Sequence, residues 1–275
     1  MFPAWRWLCL PLLALLMTGC NLDSDILELT PSPTATAIAV IPPTDLPATA
    51  APVSGWQELL PGLEQRIDSP NDNFFAQIVL LRIDPAQFAF RVHYRPGAPL
   101  RLDEWQAELP GTVAFVNANF FSPQAEIEGL LIADGLIYGE SFRDRGGLFG
   151  VQNGIPFVRS NITMPYLGEP LEQAVQAFPV LIENGVQAYT SSAPDRTTRR
   201  TAIGQDNLGR IVLMATPLTG MTLVELSAYL ASSDLGLVNA FNLDGGGSTM
   251  MAVAPGDYRL SSLDAVPAVL AVYPR

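Results

Sequence analysis

From residue 55 onward, short apolar runs alternate with clusters of Gly, Pro, Asn and Asp, the pattern of strands closed by turns. The runs Phe75–Ile83, Phe88–His93, Val113–Val116, Leu130–Ile132, Leu148–Val151, Val180–Ile182, Ile211–Ala215, Leu237–Leu243, Met250–Val253 and Ala268–Tyr273 predict strands. Helical periodicity is rarer. Thr222 and Glu225 have capping-box spacing, Leu223, Leu226 and Leu230 then fall on one face, and Gly236 offers a stop. Glu169–Ala177 and Leu102–Glu108 are two further helix candidates. Strands outnumber helices, and the helices lie between strands. The expected fold is therefore α+β, a mixed β-sheet domain with interspersed helices over residues 55–275, without internal repeats.

The first 54 residues read differently. Residues 1–20 carry one basic residue, Arg6, and an apolar run from Leu8 to Met17 that is too short to span a bilayer. The run ends Met17-Thr18-Gly19-Cys20, which resembles a lipobox, with Cys20 as the lipidation site. Residues 1–20 are thus expected to be a lipoprotein signal peptide. Residues 21–54, rich in Pro, Thr and Ala, are expected to be a semi-rigid linker. Together they predict an exported chain, lipid-anchored to a membrane of the bacterial cell envelope.

Composition narrows the chemistry. Net charge is −12, which disfavours nucleic acid as a partner. All 15 basic residues are arginine, so Schiff-base, pyridoxal phosphate and P-loop lysine chemistry have no anchor. His93 is the single histidine, so a multi-histidine metal site is excluded and a Ser–His–Asp triad would have to use it. It sits in an alternating strand, the setting of an ordinary strand residue. Cys9 and Cys20 both precede residue 21, leaving the folded part without a disulfide or a thiol nucleophile. No metal and no cofactor is expected, although carboxylate-only Ca²⁺ or Mg²⁺ binding stays open.

The sharpest local signal is Asn242-Leu243-Asp244-Gly245-Gly246-Gly247-Ser248-Thr249 between two apolar runs. Three successive glycines are entropically costly to order. They suit a place where backbone approaches a ligand closely, and successive amides in such a turn can form an anion nest. Asp244 adds a carboxylate at its rim. A plain hairpin needs fewer glycines than this.

This segment resembles the signature turn of the phosphodiester glycosidase family. Other segments resemble that family in the same order: Val116 to Phe121, with Asn117 on the family's Asn and Asn119 where a smaller residue is commoner; Gly129 to Gly135; Ala177 to Gly185; Arg200 to Gly204; and Gly220 to Leu223 before the helix. The Arg that the family often carries before its last strand is missing from Asp264–Pro267. The resemblance implies a carbohydrate phosphodiester as substrate, hydrolysed between the anomeric carbon and phosphate. It implies Asp244 and Arg200 as catalytic residues. Asn117, Asn119, Asn242, Gly245, Gly246, Gly247, Ser248 and Thr249 would bind substrate.

A phosphate ester leaves readily, so one carboxylate with an arginine would suffice where most glycosidases use two acids. Adjacent strand residues face opposite sides, so only one of Arg199 and Arg200 should reach the site; the family match selects Arg200. A second carboxylate would come from Glu126, Glu128, Asp134, Glu140 or Asp144, none singled out by the sequence. A non-catalytic glycan- or phosphoglycan-binding lipoprotein is the main alternative, and a metal-dependent phosphodiesterase the third.

Overall fold

The computed structural model describes residues 55–193 and 195–275. The expected signal peptide, residues 1–20 with Cys20, and the expected linker, residues 21–54, lie outside the described residues.

Three antiparallel sheets build the domain. The first has eight strands in the spatial order Gln57–Leu60, Leu63–Asp68, Ile78–Ile83, Ile211–Ala215, Thr201–Asp206, Leu237–Asn242, Val180–Glu183 and Val186–Gln187. The second orders Tyr258–Leu260, Met251–Val253, Ala114–Asn117, Ala268–Pro274 and Phe88–Tyr94. The third orders Leu136–Tyr138, Leu131–Ala133, Gln173–Ala177, Gly147–Gln152 and Ile155–Ser160.

The inner faces of all three sheets share one core. Val79, Leu81 and Ile83 of the first sheet meet Phe90, Val116 and Leu270 of the second and Leu131, Phe149 and Val175 of the third. The outer faces are covered too. Ile78, Leu80, Val212 and Ala240 pack under Leu226 and Leu230 of the helix Leu223–Ser232. Trp105 of the helix Leu102–Glu108 packs on Phe115, Val269 and Ala271 of the second sheet. Burial on both faces explains why Ile78 to Leu81 are apolar without alternation, since successive strand side chains point to opposite sides.

The fold is thus mainly β, with two α-helices among the described residues, so the expected α+β mixture leans further to strand than anticipated. The helix Leu223–Ser232 has the expected cap: the Thr222 hydroxyl accepts from Glu225 N at 3.1 Å, and the Glu225 carboxylate accepts from Thr222 N at 2.8 Å. It ends before Gly236, with Ser233 as its C-cap. Leu102–Glu108 is a helix as expected. Glu169–Ala177 is not: residues 173–177 form a strand, paired on both sides. Pairing with Gly147–Gln152 and Leu131–Ala133 satisfies both of its edges, and packing of Val175 on one side and Ala174 on the other buries its faces, overriding the helix preference of Gln and Ala. The run from Phe75 begins as strand only at Ile78, because Phe74–Ala76 forms a 3-10 turn with both phenylalanines exposed.

Candidate functional site

The glycine turn sits at the seam of the three sheets. Asp244 follows the end of Leu237–Asn242 in the first sheet, and the chain then crosses to Met251–Val253 in the second. Phe178, just past Gln173–Ala177 of the third sheet, borders it through a hydrogen bond from Asn242 Nδ2 to its carbonyl, 3.1 Å.

Each glycine answers a different demand. Gly245 lies so close to the Arg199 carbonyl that a Cβ would stand 3.0 Å from its oxygen. Gly246 has φ +63°, a left-handed conformation that costs any other L-residue about 1–2 kcal/mol. Gly247 leaves room for the Asp264 carboxylate, which a Cβ would overlap.

Asn117 locks this turn to the second sheet. It is fully buried. Its Nδ2 donates to the Asp244 carbonyl at 2.7 Å, and its Oδ1 accepts from the Thr201 hydroxyl at 2.7 Å and from Met250 N at 3.0 Å. Both lone pairs of that oxygen are taken, so the side chain positions Asp244 instead of presenting itself to a substrate. Thr249 is likewise wholly buried, its carbonyl accepting from Arg199 Nη2 at 2.5 Å. Asn119 donates to the carbonyls of Leu130 and Gln176, both at 2.9 Å, and Asn242 donates to those of Phe178 and Leu243. Both are buried, and together they frame the segment that carries Phe178. For Asn117, Asn119, Asn242 and Thr249 the expected direct contact with substrate is therefore replaced by a positioning place behind the surface.

Four amides of the turn are also committed. Gly245 N–H donates to Asp244 Oδ1 at 2.8 Å, Gly246 N–H to the Arg199 carbonyl at 2.8 Å, Ser248 N–H to the Gly245 carbonyl at 3.2 Å and Thr249 N–H to the Gly246 carbonyl at 3.4 Å. The row of free donors that an anion nest requires is not presented. Gly245, Gly246 and Gly247 keep partial exposure, and Ser248 is buried with its hydroxyl on Asp244.

The Asp244 carboxyl is the chemically distinctive group. Burial pushes it from 3.8 up to about 6, against the opposing hydrogen bonds from Ser248 and from Gly245 N–H; the charges of Asp264 and Glu128 raise it further. Glu128 is thus the member of the five candidate second carboxylates whose charge reaches Asp244. Asp134 is held by Gln173 Nε2 at 2.7 Å, and Asp144 pairs with Arg145. Asp264 was missed in the sequence. It stands where the family's arginine was sought, and no periodicity ties it to the turn. Among the described residues, no three His, Cys, Asp or Glu side chains are gathered to hold a metal ion.

The Arg200 main chain lies against the turn, its Cα 3.7 Å from where a Cβ on Gly245 would stand. The inner-facing neighbours on its strand are Thr201, bonded to Asn117, and Ile203 in the shared core, whereas Ala202 packs under the helix. The Arg200 side chain leaves on that helix side. Its Nη2 donates to Asp195 Oδ1 at 3.0 Å and to the Arg196 carbonyl at 2.6 Å, while Asp195 Oδ2 accepts from Leu223 N at the helix start. Burial lowers the Arg200 pKa, opposed by Asp195. Its charge is already matched by Asp195, so the expected catalytic Arg200 is an ion-paired buttress of the helix in this geometry. Arg199 takes the inner side but is buried, donating to the carbonyls of Thr249 and Ser261.

What the site does expose is aromatic. Phe120 and Phe178 lie 4.7 Å apart between ring centroids, tilted by 38°, and Phe142 meets Phe178 edge-on at 5.7 Å. All three are half-buried. Phe120 is two residues from Ala118, whose carbonyl accepts from Asp244 N at 3.0 Å, and its own carbonyl accepts from Glu128 N at 2.9 Å. Rings, Asp244 and Glu128 are therefore tied to the same backbone.

A model of the phosphodiester glycosidase family matches residues 110–273. Among solved structures, the chain is similar to the zebrafish N-acetylglucosamine-1-phosphodiester alpha-N-acetylglucosaminidase catalytic domain auto-inhibited by its pro-peptide. The TM-score is 0.60 at 19% identity, covering 78% of this chain and 85% of that one. It is also similar to a hypothetical protein from Synechocystis, with TM-score 0.57 at 16% identity over 78% of this chain and 62% of that one. No curated protein sequence matches. The likenesses in structure concern the fold. The family match spans both strands flanking the glycine turn, the turn itself and the strand that ends in Asn117, and on it the chain belongs to the phosphodiester glycosidase family.

Proposed function

We propose that the protein hydrolyses the bond between a sugar's anomeric carbon and a phosphodiester, with Asp244 as the essential carboxylate. The observation that carries this is the Asp244 carboxyl, raised to about 6 and held by Gly245 N–H and the Ser248 hydroxyl, on a backbone that Asn117 grips at the Asp244 carbonyl, beside Glu128 and an aromatic surface. A carboxyl so poised near neutral pH is equipped for acid–base or charge-stabilising work. The ring carbons of a sugar present an apolar C–H face that packs on Phe rings.

In the reaction, the C–O bond between the anomeric carbon and phosphate breaks, and the phosphate monoester departs with the bonding pair. Ionised Asp244 stabilises the positive charge that develops on the ring, as carboxylates do in glycoside cleavage. Water supplies the hydroxyl to carbon, and its proton ends on the released phosphate. Glu128 is the second carboxylate. The printed name of the zebrafish protein makes N-acetylglucosamine 1-phosphodiesters the first sugars to try.

The test is sugar release from a panel of sugar 1-phosphodiesters by the wild-type protein and by Asp244→Asn. Release by the wild type, lost in the variant while the fold persists, supports the reading. Equal turnover in both removes Asp244 from the mechanism, and binding without release by the wild type turns the protein into a phosphoglycan binder.

The setting is part of the proposal. The Met17–Cys20 segment and the proline-rich stretch support an exported protein anchored through lipid on Cys20 in the bacterial envelope. Radiolabelled fatty acid should enter the wild-type chain and not Cys20→Ser.

A further inference from the structure

Resting on the proposed hydrolysis, we propose that Arg145 reads the phosphodiester while the Phe120–Phe178–Phe142 surface receives the sugar ring. Arg145 would then take the place that the family resemblance gives to Arg200.

An anionic substrate needs a cation whose charge is not already spent. Arg200 is ion-paired with Asp195, and Arg199 is buried against two carbonyls. Arg145 is different. Its guanidinium carbon stands 5.4 Å from the Phe142 ring centre and 5.8 Å from that of Phe178, so it is held at the aromatic surface by cation–π attraction. Its side chain is 54% exposed, and the carboxylate it pairs with, Asp144, is 75% exposed at 3.2 Å. Such an exposed pair is weak and screened, so an incoming phosphodiester can displace it. A guanidinium offers two parallel donors to the two free oxygens of a phosphodiester.

The loop that presents Arg145 is built for a fixed position. Gln176 is fully buried and spends its whole amide on that loop and its neighbour. Its Oε1 accepts from Phe142 N at 2.8 Å and Leu130 N at 3.0 Å, and its Nε2 donates to the Phe142 carbonyl at 2.8 Å and to Ser141 Oγ at 3.2 Å. Asn161, also fully buried, donates to the same Phe142 carbonyl. Gly139 and Gly146 bracket the loop with φ +68° and +76°, and a Cβ on either would overlap a carbonyl oxygen, that of Gly129 or of Ala177. A surface loop with no task has no need of two buried amides and two such glycines. Gln176 further accepts Asn119 at its main-chain carbonyl, so the loop, Phe178 and the Asp244 turn share one frame.

The test compares steady-state kinetics on the methyl phosphodiester of N-acetylglucosamine 1-phosphate and on the neutral p-nitrophenyl glycoside of the same sugar. Arg145→Gln should lower the ratio of kcat/KM values, phosphodiester over neutral, by about tenfold, chiefly through KM. Arg145→Lys should recover part of it, and Phe178→Ala should lower both values together. Calorimetric binding of the methyl phosphodiester to wild type and Arg145→Gln separates the two ideas. Affinity lost in the variant supports the Arg145 assignment even where the wild type releases no sugar, a result that would sink hydrolysis alone. Equal affinity, an unchanged kinetic ratio, or no binding by the wild type overturns the assignment.

Discussion

Replacing Asp244 by Asn should stabilise the protein near neutral pH and leave its stability unchanged near pH 4. The Asp244 carboxyl rises from 3.8 to about 6 on folding, mainly because burial disfavours the charged form. Between those two values the native state keeps a proton that the unfolded chain has released. Stability therefore falls as pH rises through this window, and the full penalty is present above about pH 7. Two pH units at 1.36 kcal/mol each give about 3 kcal/mol; partial exposure of the side chain trims this to about 2 kcal/mol. Asn cannot ionise, and its Oδ1 can still accept from Gly245 N–H, now 2.8 Å from the carboxylate. For a domain of this size, 2 kcal/mol corresponds to a Tm increase of about 4–8 °C. Differential scanning calorimetry of both proteins at pH 4, 5, 6, 7 and 8 reads it as a Tm difference that grows from near zero to a plateau. Subtracting the wild-type curve cancels the titrating groups that do not couple to Asp244. A difference that is flat with pH, or that favours the wild type at pH 8, would refute the burial argument.

Other outcomes follow from the same geometry. Sugar release should rise with pH through about 6, as Asp244 ionises; a rate that falls across that range would make it a proton donor instead. Arg200→Ala breaks the pair with Asp195 and should cost about 2–4 kcal/mol in chemical denaturation, with a smaller effect on the discrimination between charged and neutral glycosides than Arg145→Gln. Gly246→Ala, at φ +63°, should cost about 1–2 kcal/mol in the same assay and reduce release more than that loss of folded protein accounts for. Asn117→Ala frees the Asp244 carbonyl, Thr201 and Met250 at once and should lower kcat with little change in KM, checked by initial rates.

The apolar runs were legible because strands buried on both faces leave dense, short hydrophobic stretches, and the Thr222–Glu225 spacing reports a cap that depends on four neighbouring residues alone. Residues 173–177 misled because Gln173 and Gln176 look like the polar face of a helix. In the folded chain each is a buried amide serving backbone far away in sequence, Val92 in the strand Phe88–Tyr94 for one and Phe142 in a loop for the other. The glycine turn announced itself through composition, and the resemblance pointed to Asp244. What each polar neighbour does was hidden, since Asn117, Asn119 and Asn242 are equally suited to grip a ligand or a carbonyl. Only the sheet registers, Val269 opposite Asn117 and Ala202 opposite Asn242, decide that they grip carbonyls. The Phe120–Phe178 contact joins residues just past strands of two separate sheets and leaves no local trace at all.

The strand Ala268–Pro274 is last in sequence yet central in its sheet, inserted between Phe88–Tyr94 and Ala114–Asn117. Until residues 268–274 have been synthesised and have slotted in, the segment ending in Asn117 has one flank open, and the bend it should clamp has no fixed anchor. The proposed hydrolysis therefore depends on this strand being in place. A chain lacking residues 268–274 would leave the segment that holds the proposed catalytic turn without its neighbour.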